Sequence, residues 1–336
     1  MVVPKEIDTN AANAQKGFYY QDMVALYILL RDIKKINYIN PEGEDDIDVM
    51  YENGKKSYYQ AKYVNNIDNS KVMPEKLGEA LKTLYADYIR EEGEVEELIF
   101  VTNSRFPLGK TRSYHDEFFR HKAYYNYKAL PAEFQRKIIN KVKSLKFDSD
   151  IDLEKISVLK ISYEGSDTAT RMRALDDLTN EFFEQTRINC KQALVNSWFK
   201  LIRDSDTVKD KILTKQEFYS NTIAIVVFQD DRGVEDFLEC YDIRSMRNKI
   251  KDNYEYAKNL FIDDFQEYNK IIQCYSDDDS NYSDTYKRKF VDEYSNNILN
   301  TTNKNADDLW IVKLSVWMAI QANQEVINIK KEIGYG

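Results

Sequence analysis

Asp46, Asp48, Gln60 and Lys62 stand on either side of an Asn53-Gly54 pair, within the stretch that runs from Glu44 to Tyr63. Asn-Gly between two β-prone runs predicts a hairpin with a type I′ turn, in which both central residues take positive φ. Side chains alternate along a strand, so Asp46, Asp48 and Met50 share one face of the first strand, and Gln60 and Lys62 one face of the second. Where those faces coincide, two carboxylates, an amide and an amine meet. Such a group can hold a hard divalent cation and a nucleophilic water. The bland alternative is a solvated hairpin whose acids and lysines form weak surface pairs.

The elements that must position these residues can be read outward from the hairpin. A helix over Gln15–Lys35 carries Val24, Ala25 and Ile28 at helical spacing, with Gln21 on the side they bury. Ile36–Ile39 suits a short strand before the hairpin. Leu77, Ala80, Leu81, Leu84 and Tyr88 mark a second helix, and Leu98–Asn103 is a continuous apolar run ending in polar residues, the pattern of a buried parallel strand. The order is α-β-β-β-α-β. Between Arg105 and Lys146 eleven Lys or Arg face three acids, a net +8, and two helices are expected there, the second opening near Pro131. Within it Lys110, Arg112, Arg120, Lys122 and Lys128 are candidate phosphate contacts. Ile156–Tyr163 alternates as a final strand.

Beyond Gly165 the pattern is almost wholly helical. Thr214-x-x-Glu217 reads as a capping box, Ile223–Phe228 fits strand or helix, and residues 247–275, 284–300 and 307–330 read as three further helices. The division expected is 1–165 and 166–336.

Composition narrows the chemistry. Of the chain's 336 residues only two are histidines, so a metal here is expected on oxygen ligands rather than a histidine cluster. A net charge of −9 argues against nucleic acid binding over the whole surface but leaves room for a local basic track. Three scattered cysteines give no paired framework and are expected as reduced, buried thiols. No apolar run is long enough to span a membrane and no signal-peptide core is present, so an intracellular chain is expected.

Asp48 with Gln60-Ala61-Lys62, in this order of elements, resembles the PD-(D/E)xK nucleases in their QxK variant. Gly17-x-x-Tyr20-Gln21 before an apolar helix is similar to the opening of the nuclease domain shared by CBASS effector endonucleases and Lamassu-type anti-phage systems. The resemblance covers residues 12–165. It implies an α/β restriction-endonuclease-like N-terminal domain with an αβββαβ core, followed by a mainly α-helical C-terminal domain. It implies metal-dependent hydrolysis of DNA, with Mg²⁺ or Mn²⁺ on Asp48 and further ligands from Glu44 and Asp46. Lys62 would steady the water or the developing charge, Gln60 would add an oxygen, and Gln21 would brace the site from the helix. Glutamine at 60, where the wider superfamily has a carboxylate, leaves the number of bound metals open. The helical region resembles those of effectors that travel with SMC-like or HerA-like ATPases. This implies a bacterial cytoplasmic effector, activated by a partner complex, with homo-oligomerisation favoured by the need to cut two strands. The competing expectation is a catalytically silent docking or nucleic-acid-binding subunit of such a complex.

Overall fold

The computed structural model describes residues 9–41, 46–111, 116–120, 122–163, 175, 179–182, 191–205, 212–228, 232–276, 283–302 and 309–334. The chain divides into two compact units, one of Met1–Glu184 with Trp198–Lys215, the other of Gln185–Ser197 with Gln216–Gly336.

The first unit is built on a mixed sheet of seven strands in the order β5-β6-β4-β3-β2-β1-β7. Helix α1 (Thr9–Asp32) leads into β1 (Ile36–Pro41), β2 (Ile47–Tyr51) and β3 (Lys56–Lys62), then α2 (Met73–Arg90) and β4 (Val95–Thr102). This is the expected α-β-β-β-α-β order. After it come β5 (Lys122–Asn126), α3 (Ala132–Leu145), β6 (Ile156–Ile161), the part of α4 (Lys191–Ser205) from Trp198 onward, and β7 (Leu213–Thr214). The strands β3, β4 and β6 run parallel, and the hairpin, β5 and β7 add antiparallel neighbours at the edges.

In this unit three expectations change. The hairpin turn is not type I′: of its residues only Gly54 has positive φ, at 80°, and Gly54 N–H donates to Tyr51 O at 3.0 Å while Tyr51 N–H donates to Lys55 O. A three-residue loop with glycine in the left-handed position results. The first helix expected in the basic segment is instead a short 3₁₀ turn and the strand β5, because Tyr124 and Tyr125 suit a sheet edge and β6 offers an unpaired one. Lastly, α1 opens at Thr9, well before the expected start.

Registered neighbours in the parallel strands point to the same side, so the sheet reads as rows. Tyr58, Leu98 and Ile156 form one row, Gln60, Phe100 and Val158 the next, and Lys62, Thr102 and Lys160 the last. The first two rows are packed by Leu77, Leu81 and Leu84 of α2 and by Phe134 and Ile138 of α3. Along one face, then, the strands pass from apolar to polar toward their C-terminal ends. On the other face sit Tyr59, Ile99 and Ala61, and Arg31 near the end of α1 donates to Tyr59 Oη at 3.0 Å. Helix α1 is buried round its circumference from Asp22 to Leu30, so its apolar residues form no single stripe.

The second unit is helical among its described residues: Lys215–Val227, Arg232–Cys240, Arg247–Asp252, Tyr254–Asp263, Phe265–Ser276, Asp284–Thr302, Leu309–Gln321 and Asn323–Ile333. Ile223–Phe228 therefore belongs to a helix and its turn. Breaks at Asn253, Asp264 and Ala322 divide what periodicity alone ran together. Leu309–Gln321 is the central helix, buried without a break from Val316 to Ile320, with Trp317 against Phe237 and Tyr241. Cys240 is half-buried and Cys274 exposed, so the expected burial of the thiols does not hold for these two; Cys190 lies outside the described residues. Among the described residues no helix is long and apolar enough to cross a membrane.

Candidate active site

Asp46 immediately precedes β2, and its carboxylate meets the end of β3. Its Oδ2 accepts from Gln60 Nε2 and, at 2.7 Å, from the Ala61 N–H. The Gln21 side chain hydrogen-bonds the same carboxyl from α1, and the Lys62 ammonium acts on it electrostatically. Burial pushes the Asp46 carboxyl above its ordinary range, while Lys62, Gln60, the Ala61 N–H and Gln21 all oppose that rise. Gln60 is almost completely buried, with a relative exposure of 4%. A buried amide and a partly buried acid are tolerable together because each satisfies the other.

The structure thus brings together Gln21, Asp46, Gln60 and Lys62. Asp48 stands two residues further along β2, registered with Asn40 of β1 and Tyr58 of β3, one row back from Gln60. Glu44 and Arg112 lie outside the described residues.

Two residues that periodicity could not single out hold this end of β3. Thr102 Oγ1 donates to the Lys62 carbonyl at 2.8 Å. Asn103, with 1% exposure, accepts from Val64 N–H at 2.8 Å, donates to Val64 O at 2.8 Å, and reaches Tyr163 O at 3.4 Å. One amide therefore ties together the segments leaving β3, β4 and β6. The sequence signal was faint: a polar residue closing an apolar strand. Helix α1 is braced as well, since Arg203 of α4 donates to Tyr19 Oη at 2.8 Å and lies 3.6 Å from the buried Asp22 carboxylate, next to Gln21.

The basic candidates divide between the two ends of the sheet. In β5 Lys122 is opposite Ile161 and Asn126 opposite Ser157, so Arg120 and Lys122 lie at the Lys62 end. Lys110 is exposed, on a loop whose carbonyls at Leu108 and Lys110 accept from Lys137 Nζ at 3.0 and 2.6 Å. Lys128 follows β5 at the opposite end and pairs with Glu154 at 2.7 Å. There it lines a cavity of about 900 Å³ with Arg31, Glu97 and Tyr124, a space that includes none of Asp46, Gln60 and Lys62.

The sequence of this chain matches a family model described as "Cap4, dsDNA endonuclease domain" over residues 12–207. The chain belongs to that family. It is accordingly a DNA endonuclease of the PD-(D/E)xK type, an effector of anti-phage defence, carrying a helical C-terminal region. No curated protein and no solved structure matches it. Nucleases of this type generally use divalent metals, and the Asp46 carboxylate, with the Gln60 amide against it, is an oxygen donor that suits a hard one. Among the described residues no three acids, histidines or cysteines gather into one group. The residues fit an ion that keeps several of its own waters, as Mg²⁺ does.

Proposed function

We propose that Asp46, Gln60 and Lys62, braced by Gln21, form the catalytic centre of a magnesium- or manganese-dependent deoxyribonuclease. The observation that carries this reading is the convergence of the Gln21, Gln60 and Lys62 side chains on the Asp46 carboxylate. Asp46 and the Gln60 amide oxygen would hold the ion, with Asp48 a further candidate ligand one row back. The ion supplies Lewis-acid polarisation of the phosphate and a more acidic water. Lys62 places a fixed positive charge where the phosphate gains negative charge, in a site whose partial burial strengthens it. Thr102, by holding the Lys62 carbonyl, limits the freedom of that lysine's backbone. Gln21 and the Ala61 N–H hold the carboxylate in one orientation, which favours its ionised form.

Lys110, Arg120 and Lys122 would meet the DNA backbone beside this centre, giving affinity without sequence preference. The helical unit would receive the activating signal, from an SMC-like or HerA-like ATPase complex of the Lamassu kind, in the bacterial cytoplasm. Two copies of the chain would set two centres on the two strands of a duplex. A second reading, a silent docking subunit, draws its support from Gln60, an amide where the wider superfamily has a carboxylate; among the described residues Asp46 is the carboxylate in contact with the cluster.

The deciding experiment uses the full chain, with its flanking genes present, on supercoiled plasmid. Cleavage that requires Mg²⁺ and disappears in both Asp46→Ala and Lys62→Ala supports the catalytic centre. Undiminished cleavage by those variants would overturn it, and DNA binding without cleavage under every condition would favour the silent subunit.

A further inference from the structure

A lysine buried in a sheet needs a reason, since its ammonium gives up hydration on burial and must recover it from fixed acceptors. Lys160 in β6 is 2% exposed and ranks among the largest fully enclosed side chains of the protein. Its Nζ donates to the Arg120 carbonyl at 2.5 Å and to Ser162 Oγ. It sits in the same row as Thr102 and Lys62, two strands from Lys62, a separation of about 9.6 Å at the usual strand spacing. Ala123 of β5 is its registered neighbour on the other side, three residues beyond Arg120.

Position, burial and acceptor have one consequence together. The Arg120 carbonyl is main chain, so the ammonium holds the backbone that carries an exposed Arg120 and leaves the guanidinium outward. An apolar side chain could fill the same space, but it has no donor to hold that carbonyl at the row that ends in Lys62. We infer that Lys160 is a positioning residue for DNA binding, tethering the Arg120 backbone so that its guanidinium meets a phosphate beside the Lys62 end of the sheet.

The inference rests on the reading of Arg120 as a phosphate contact, and the test separates the two. DNA affinity of the full chain is measured by fluorescence anisotropy in EDTA, across a series of salt concentrations. Arg120→Ala is expected to lower the salt slope by about 0.9, so that the loss of affinity between 0.05 and 0.2 M salt shrinks about 3.5-fold. Lys160→Met is expected to reproduce most of that reduction, and the double variant to add nothing further. Lys160→Arg, which keeps a charged donor, is expected to retain the wild-type slope. A merely structural lysine would lower thermal stability and leave the slope alone, and that result overturns the tether. So does full additivity in the double variant. If Arg120→Ala itself leaves the slope unchanged, the phosphate contact fails and the tether with it. Should Lys160→Met not fold, Ser162→Ala decides: a smaller reduction in slope supports the tether, and none overturns it.

Discussion

Replacing Asn103 by alanine removes two hydrogen bonds of 2.8 Å to the backbone of Val64 and the longer reach to Tyr163 O. These backbone groups cannot turn to solvent, because Asn103 itself is 1% exposed and Val64 is 8% exposed. An orphaned buried donor or acceptor costs about 1–3 kcal/mol. With Val64 N–H and Val64 O both stranded, the expected loss is about 2–6 kcal/mol, the lower end applying where the strand ends shift to admit water. For a unit of this size that corresponds to a fall in Tm of about 4–24 °C. The same change loosens the chain two residues after Lys62, and misplacing a catalytic group by about 1 Å can cost up to about 100-fold in rate. The assay pairs thermal and urea unfolding with plasmid cleavage, the latter at a temperature where the variant remains folded. Asn103→Asp sharpens it, since the carboxylate keeps an acceptor for Val64 N–H, loses the donor to Val64 O, and adds a buried charge. Burial raises the pKa of such an acid, so its extra cost is present above that pKa and is relieved as pH falls through it. A Tm within about 2 °C of wild type for Asn103→Ala, with unchanged cleavage, would refute the clamp.

The relative weight of the two aspartates is tested by comparing Asp46→Ala with Asp48→Ala: the first should reduce cleavage at least about 100-fold, the scale of losing a group that acts on the transition state, and the second should cost less. If the order is reversed, the metal-holding carboxylate is Asp48. Gln21→Ala removes a hydrogen bond that lowers the already raised Asp46 pKa, so the acid limb of the pH–rate profile should move to higher pH. A limb that stays in place, or moves down, removes Asp46 ionisation as its cause. The sign for stability follows from the same shift: because the folded pKa is raised, ionising Asp46 opposes folding, and that penalty grows as pH rises through the folded value. Chelation should abolish cleavage and added Mg²⁺ restore it, with the ion raising the unfolding temperature in step with its concentration.

The order α-β-β-β-α-β, the pairing of Gln60 with Lys62 on one face and the parallel burial of Leu98–Thr102 were all legible in the sequence. Each follows from a short-range period: two residues along a strand, or three to four along a helix. Gln21 could be picked out as a polar residue on a burying helix for the same reason. The hairpin was legible too, though its turn type was not, since Asn-Gly is compatible with more than one loop and the choice lies in where positive φ falls.

What periodicity could not supply is everything fixed by partners distant in the chain. Asp46 is in contact with Gln60 because of how the chain enters β2, and Asp48, two residues on with the same alternation, is registered with Tyr58 and Asn40 instead. Lys122–Asn126 becomes a strand because the edge of β6 accepts it, and the same register sends Lys128 to the far end of the sheet from Lys62. Asn103 and Lys160 look in the sequence like ordinary polar punctuation of apolar strands. Only burial, which removes water as an alternative partner, makes one a clamp on three strand ends and the other a tether for Arg120. By itself, then, the sequence determined the face that carries Gln60 and Lys62. The tertiary structure decided which acid meets them and what holds them still, because hydrogen bonds among buried groups are chosen by the fold as a whole.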